Sequence, residues 1–256
     1  MKIIACIKQV ADSEAKVRAE NGKISWGDAA LVINPYDEYA VEGGLLQKEA
    51  QGGTVTAVCI GSESAKDALK HALAMGADDA ILISDPAFAS LDTQGAARVL
   101  AAAIKKIGGV DLVVFGRQTL DDGSGLTAAQ TARILGWPML GMVGQIKIEA
   151  QSLHVERVIE EGRQIVSTKL PAVLSIVQSI GEPRYPSFMG IRKASKAEIP
   201  IWSLNDLGIS APAPLVSRIE LITPPSRDVT CEIIAGDSPA AIAESLTGKI
   251  LAETIL

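Results

Sequence analysis

Short apolar runs and helical patterns alternate along the first half of the chain. The runs at 2–7 (KIIACI), 54–60 (TVTAVCI), 80–84 (AILIS) and 111–115 (DLVVF) are near-continuously apolar, as strands buried on both faces of a sheet are. The stretch NPYDEYAVEGGLLQKEAQGG predicts a helix with Asn34 as N-cap, Pro35 at its first position, acids in its first turn and Gly52-Gly53 closing it. Further helices are predicted over 62–76, over 92–108 with lysines in the last turn, and over 124–136. Asn21-Gly22, between the short runs of VRAENGKISW, is a tight hairpin signal. Strands alternating with helices predict an α/β fold: a mostly parallel sheet, right-handed crossovers and flanking helices. Such sheets bind ligands beyond the carboxyl ends of their strands, which brings forward the loops after Ile7, Ile60 and Phe115.

Beyond Trp137-Pro138 the pattern changes. QIKIEA, LHVERVI, RQIVSTKL and AVLSIV are β-type runs broken by turn residues, and they predict a β-meander or hairpin added to the sheet. Residues 181–227 are rich in proline and glycine with few helix signals, and read as an extended arm of a length that a compact monomer rarely keeps without something to wrap. Ser238 and Pro239 open a final amphipathic helix. The expected division is an α/β domain with its β-rich addition over 1–180, an extended C-terminal arm over 181–235, and a helix over 236–256.

Composition narrows the function. With 48% hydrophobic and 21% charged residues in 256, the chain can bury a sizeable core, and with only 4% aromatics that core is aliphatic. A net charge of -6 argues against nucleic acid or an anionic membrane as partner, and the basic stretch IRKASK (191–196) is too short to reverse this. MKIIACIKQV is too short in its apolar part for a secretory signal, and no apolar run approaches the ~18 residues of a membrane span. Cys6, Cys59 and Cys231 lack metal-ligand spacing; the first two read as small buried hydrophobes, and a reducing, cytoplasmic location is expected.

Catalytic parts are missing. The two histidines, His71 and His154, sit in patterns that suit packed or surface residues, and no nucleophile elbow, HExxH or CxxC occurs. Binding has better support in GRQTLDDGSGLT (116–127). GSGLTA is a formal dinucleotide-type match, but it does not follow directly from a strand, and no lysine follows the glycines as in a phosphate loop. What the residues offer is amides uncovered by Gly123 and Gly125 where a helix starts, the hydroxyls of Ser124 and Thr127, and a helix dipole that favours an anion. A glycine loop that only turns into a capped helix accounts for the same residues. Asp121 and Asp122 then hydrogen-bond a ribose or cap the loop.

Six motifs carry a resemblance. NPYDEYAVE (34–42), ALAMGADDAI (72–81), GRQTLDD (116–122), LGWP (135–138), KLPAVLSIV (169–177) and EPRYPSFMGIRKASK (182–196) occur in order, and together they resemble the beta subunit of electron-transfer flavoprotein. The resemblance implies a heterodimer whose alpha subunit holds most of the redox-active FAD, while the beta chain buries a structural AMP. It implies an electron carrier, not an enzyme, passing electrons from acyl-CoA-type dehydrogenases to a quinone-linked oxidoreductase. Carried over, the AMP pocket falls at Cys6, at Asn34, Pro35, Tyr36 and Asp37, at Ile60, and along Gly116, Arg117, Gln118, Thr119, Leu120, Asp121, Asp122, Gly123, Ser124, Gly125, Leu126 and Thr127. The arm becomes a docking loop for the dehydrogenase, with Phe188 as hydrophobic anchor, Met189 as its neighbour, and Tyr185 and Arg192 beside them.

Two positions depart from the family pattern: Ser13 where some members carry an aromatic, and Val158, with Glu160 nearby, where some carry an acid. Bifurcating members hold a second FAD in place of AMP and usually lead into the helix with Val-Gly-Pro; here Thr127-Ala128-Ala129 stands there, and the Thr127 hydroxyl suits a terminal phosphate. A stand-alone adenine-nucleotide-binding module of the stress-protein type is the alternative outside this family, and the long arm argues against it. A nicotinamide dehydrogenase would need a glycine fingerprint at the first strand and a base, and has neither.

Overall fold

The computed structural model describes residues 1–20, 23–217, 219–222 and 230–253. The chain divides into two compact units, Met1–Leu221 and Ile222–Leu256. In the first unit, β1 (Lys2–Ile7) leads through β2 (Gln9–Ala11), β3 (Arg18–Glu20), β4 (Lys23–Ser25) and β5 (Leu31–Ile33) into α1 (Pro35–Gln51). β2 pairs with β5 and β3 with β4, both antiparallel; the expected Asn21-Gly22 turn between β3 and β4 lies outside the described residues. Then come β6 (Thr54–Ile60), α2 (Lys66–Met75), β7 (Asp79–Ile83), α3 (Thr93–Ile107), β8 (Leu112–Gly116) and α4 (Thr127–Leu135). β9 (Met139–Glu149), β10 (Ser152–Ile159), β11 (Gly162–Lys169) and β12 (Ala172–Ile176) follow, then α5 (Phe188–Ser195), β13 (Ile201–Trp202) and α6 (Leu204–Leu207); the second unit contributes α7 (Pro239–Ala252).

One nine-stranded sheet runs β11-β10-β9-β12-β8-β1-β6-β7-β13. Its strands from β9 through β12, β8, β1, β6 and β7 to β13 pair in parallel, and β9, β10 and β11 form an antiparallel meander at one edge. The alternation of β1 divides the core: Ile3, Ala5 and Ile7 join the cluster that includes Val41, Leu45 and Leu69 of α1 and α2, while Ile4 and Cys6 join the one that includes Val99, Ile104 and Ala132 of α3 and α4. From β1 the chain moves toward β6 and β7, then returns to place β8 on β1's other side. The strand order therefore reverses between β1 and β8, where open α/β sheets put their ligands.

Three local expectations change. AVLSIV does not extend the meander: it forms β12, wholly buried and inserted in parallel between β8 and β9. A continuous apolar run serves a two-sided buried strand better than a meander with one wet face. The predicted helix 62–76 begins as a 3-10 turn, Glu63–Ala65, and becomes α-helical at Lys66. The supposed arm carries α5, β13 and α6, with Ala194 and Leu204 buried and β13 adding parallel to β7, so tertiary packing orders a stretch whose local signals are weak.

Candidate functional site

A cleft of about 670 Å³ opens at the carboxyl ends of β1, β6, β7 and β8. Of the residues proposed from sequence, Cys6, Asp37, Ile60, Gly116, Gln118, Thr119, Asp122, Ser124, Gly125 and Thr127 line it. They come from four separate parts of the chain and meet because parallel strands end on one edge.

Asp37 lies in the first turn of α1 and is nearly inaccessible. Its carboxylate accepts the backbone N–H of Lys8 at 2.8 Å and that of Gly116 at 3.2 Å, joining the ends of β1 and β8 to α1. Burial pushes its pKa up to about 7, against the pull of those two amides. Gly116 makes the junction possible: a Cβ there would lie 2.5 Å from Asp37 Oδ1 and 2.6 Å from the Tyr36 carbonyl. The thiol of Cys6 is raised well above its ordinary range, first by burial and then by the Asp37 charge, so it is an inert wall.

Asn34 supplies a different link. It occupies the N-cap position of α1 but makes no side-chain cap to its own helix. Instead Nδ2 donates to the Gln118 carbonyl at 2.9 Å and Oδ1 accepts from Leu120 N–H at 3.1 Å. The loop after β8 is thus held against the start of α1. Pro35, Tyr36, Arg117, Leu120, Asp121, Gly123 and Leu126 also stay outside the lining: Arg117 lies over the Tyr36 ring at 5.9 Å, Leu120 and Leu126 are half exposed, and Asp121 pairs with Lys8 Nζ at 2.6 Å.

The glycine loop differs from its reading in one respect. The helix begins at Thr127, not at 124. Gly123 N–H donates to the Thr119 carbonyl at 3.0 Å and Ser124 N–H to Asp122 Oδ1 at 2.8 Å, so those two amides are consumed within the loop. For Asp122, burial pushes its pKa up, but the Ser124 amide and the charge of Lys8 outweigh it, and the carboxyl is held below the usual range. Gly125, at φ 63°, then turns the chain into the helix. The amides of Gly125, Leu126, Thr127, Ala128 and Ala129 have no hydrogen-bond partner among the described residues, whereas Gln130 N–H already donates to the Leu126 carbonyl at 3.0 Å. The buried hydroxyl of Thr119, also on the cleft wall, has no partner at hydrogen-bond distance, though it lies near enough to Asp122 to help hold that carboxyl down.

Sequence reasoning missed a fourth wall. Ser84, Asp85, Pro86 and Phe88 from the loop after β7, with Leu91 before α3 and Ala96 and Leu100 on it, form this wall, and Lys8 and Ala128 also line the cleft. The rule that brings forward the other strand ends applies equally to the loop after β7.

The residues expected to dock a partner lie elsewhere on the same unit. Tyr185 is 94% exposed, Phe188 80% and Met189 68%, with Arg192 in the last turn of α5. His71 and His154 sit on α2 and β10, outside the cleft lining. Among the described residues no group of three or more His, Cys, Asp or Glu is arranged to hold a metal, and no helix is long and apolar enough to cross a membrane.

Comparisons with known proteins bear on this geometry. A family model described as the electron transfer flavoprotein domain matches residues 27–207. Over 263 aligned residues the chain is 35% identical to the caffeyl-CoA reductase-Etf complex subunit CarD of Acetobacterium woodii, covering 100% of both. It is 34% identical over 256 residues to the electron transfer flavoprotein subunit beta of Bacillus subtilis, covering 99% of this chain and 98% of that one. Protein FixA of Azorhizobium caulinodans is 36% identical over 217 residues, covering 82% and 77%.

Proposed function

This chain belongs to the electron transfer flavoprotein family as a beta subunit, and we propose that its strand-end cleft holds AMP as a structural element of a heterodimer. In this reading the alpha subunit holds most of the redox-active FAD. Electrons arrive from an acyl-CoA-type dehydrogenase docked near Phe188 and leave for a quinone-linked oxidoreductase. The bound flavin supplies the redox chemistry; this chain binds, orients and docks, and is a carrier in the cytoplasm, not an enzyme.

The observation that carries the reading is the cleft at the β1/β8 reversal, with its free amides at the start of α4 and the partnerless Thr119 hydroxyl. A phosphate satisfies amides at a helix start, and a ribose or base edge satisfies a buried hydroxyl. The charges favour a single phosphate. Asp37, Glu63, Asp85, Asp92 and Asp122 line the cleft, and Lys8, the one cation among its lining residues, already pairs with Asp121. Such a lining disfavours a triphosphate, which weighs against a stand-alone ATP-binding module. The residues that would hold AMP are Cys6 and Ile60 on the walls, Gln118 and Thr119 on the loop, and Gly125 and Thr127 at the helix start.

A second reading has one observation in its favour. The apolar side chains of Phe88, Leu91 and Leu100 carry the cleft lining beyond the three expected loops, which suits a larger ligand such as a second FAD. Counting nucleotides decides: the heterodimer is purified, denatured, and its released cofactors are quantified. One FAD and one AMP per dimer supports the proposal, two FAD supports the bifurcating reading, and no adenine nucleotide beyond that of a single FAD removes the pocket assignment.

A further inference from the structure

Arg184 stands immediately before the exposed patch of Tyr185, Phe188 and Met189, yet its guanidinium is committed to α1. Nε and Nη2 donate to Glu42 at 2.9 and 2.8 Å, and the backbone N–H of Arg184 donates to the same carboxylate at 3.1 Å. Nη1 and Nη2 also reach the two oxygens of Glu49, about two turns further along the helix. Glu42 is 5% exposed, and among the described residues Arg184 is the cation that pairs with it. A buried carboxylate left without its cation is costly, so seating Glu42 obliges residue 184, backbone included, to sit on α1. The forked, planar contact also fixes direction, which a lysine point charge would not.

The far side of the patch is anchored separately. A Cβ at Gly190 would fall 2.3 Å from the Ala74 carbonyl, so α5 rests on α2 at backbone contact, and the Ser187 hydroxyl caps α5 by accepting Gly190 N–H at 2.9 Å. Between these two anchors the apolar side chains project outward. Holding a binding segment in its bound form removes an ordering cost that docking would otherwise meet.

We propose that Arg184, through Glu42 and Glu49, is the positioning residue of the docking patch, orienting Tyr185, Phe188 and Met189 before the partner protein arrives. This rests on reading that patch as the surface that meets the electron donor. Because Glu42 lies on the helix that starts after Asn34 and carries Asp37 in its first turn, the patch and the nucleotide cleft share one rigid element.

The test uses the intact heterodimer with Arg184→Gln, Arg184→Lys and Phe188→Ala. Carrier concentration is varied against an acyl-CoA dehydrogenase reduced by butyryl-CoA, with a dye as terminal acceptor, and amide hydrogen exchange is followed over 185–191. For Arg184→Gln the expected result is a KM for the carrier raised about tenfold with kcat within about twofold. Exchange over 185–191 should accelerate, FAD and nucleotide content should stay unchanged, and Arg184→Lys should fall between. The proposal is overturned if Arg184→Gln keeps the parental KM and exchange while Phe188→Ala raises KM. If Phe188→Ala also leaves KM unchanged, the docking reading itself fails, and the role given to Arg184 falls with it.

Discussion

Asn34 holds Leu120 across 86 positions of chain: its Oδ1 accepts the Leu120 N–H at 3.1 Å while Nδ2 binds the Gln118 carbonyl at 2.9 Å. One fully buried carboxamide therefore sets the distance between α1 and the loop that forms a wall of the cleft.

Asn34→Ala would strand two backbone groups of that loop. The expected cost is about 1–3 kcal/mol, read as a lower melting temperature of the heterodimer, together with loss of bound adenine nucleotide. Asn34→Asp keeps an acceptor for Leu120 but sets a buried carboxylate oxygen against the Gln118 carbonyl, and should not rescue the loop. An Asn34→Ala protein with parental melting and nucleotide content would show that the loop is held by other means.

Gly125→Val tests the turn into α4. At φ 63° a β-branched residue is strained by about 1–3 kcal/mol, and its Cβ would lie 2.9 Å from the Arg117 carbonyl. The variant should release its nucleotide and melt lower, because a ligand bound only to the folded state stabilises it. Added AMP should then raise its melting temperature far less than that of the parent; an equal response would count against the loop as the nucleotide seat.

Asp37 gives a pH signature of definite sign. Its folded pKa is raised to about 7, from about 4 in an unfolded chain. The folded state therefore binds the proton more tightly. This group's stabilisation is fully present below about pH 4 and is lost as pH rises toward 7, by no more than about 1.4 kcal/mol per pH unit. Asp37→Asn should remove that contribution, so the difference in melting temperature between variant and parent should change between pH 5 and 7.5 and level off above. A difference constant across that range would refute the assignment.

Phe188→Ala should leave the fold alone. The side chain is 80% exposed at the first position of α5, where substitutions usually shift stability by no more than about 0.5 kcal/mol. Reduction by the donor dehydrogenase should weaken with flavin content intact. If coupling is unchanged, Met189, 68% exposed beside it, is the next anchor to remove.

Much of this architecture was legible in the order of the residues. The runs at 2–7, 54–60, 80–84 and 111–115 became β1, β6, β7 and β8 within a residue or so, and Asp92 caps α3 through Gly95 N–H as its position suggests. Two local expectations fail for different reasons. Ser124 stands at the predicted helix start, but Gly125 turns left-handed at φ 63°, and the helix waits for Thr127. Asn34 looks like a cap, but a loop 84 positions away offers its side chain better-placed partners, so local preference lost to a hydrogen bond that only the assembled loop supplies.

By itself the amino-acid order determined the strand–helix alternation and the parallel sheet, because periodicity and turn chemistry act over a few residues. Only the tertiary structure decided that AVLSIV enters the sheet between β8 and β9, that Asp37 receives the amides of Lys8 and Gly116, and that Arg184 is bound to Glu42. Those are pairings between distant segments. Many partners satisfy the same local pattern, and packing the core selects among them.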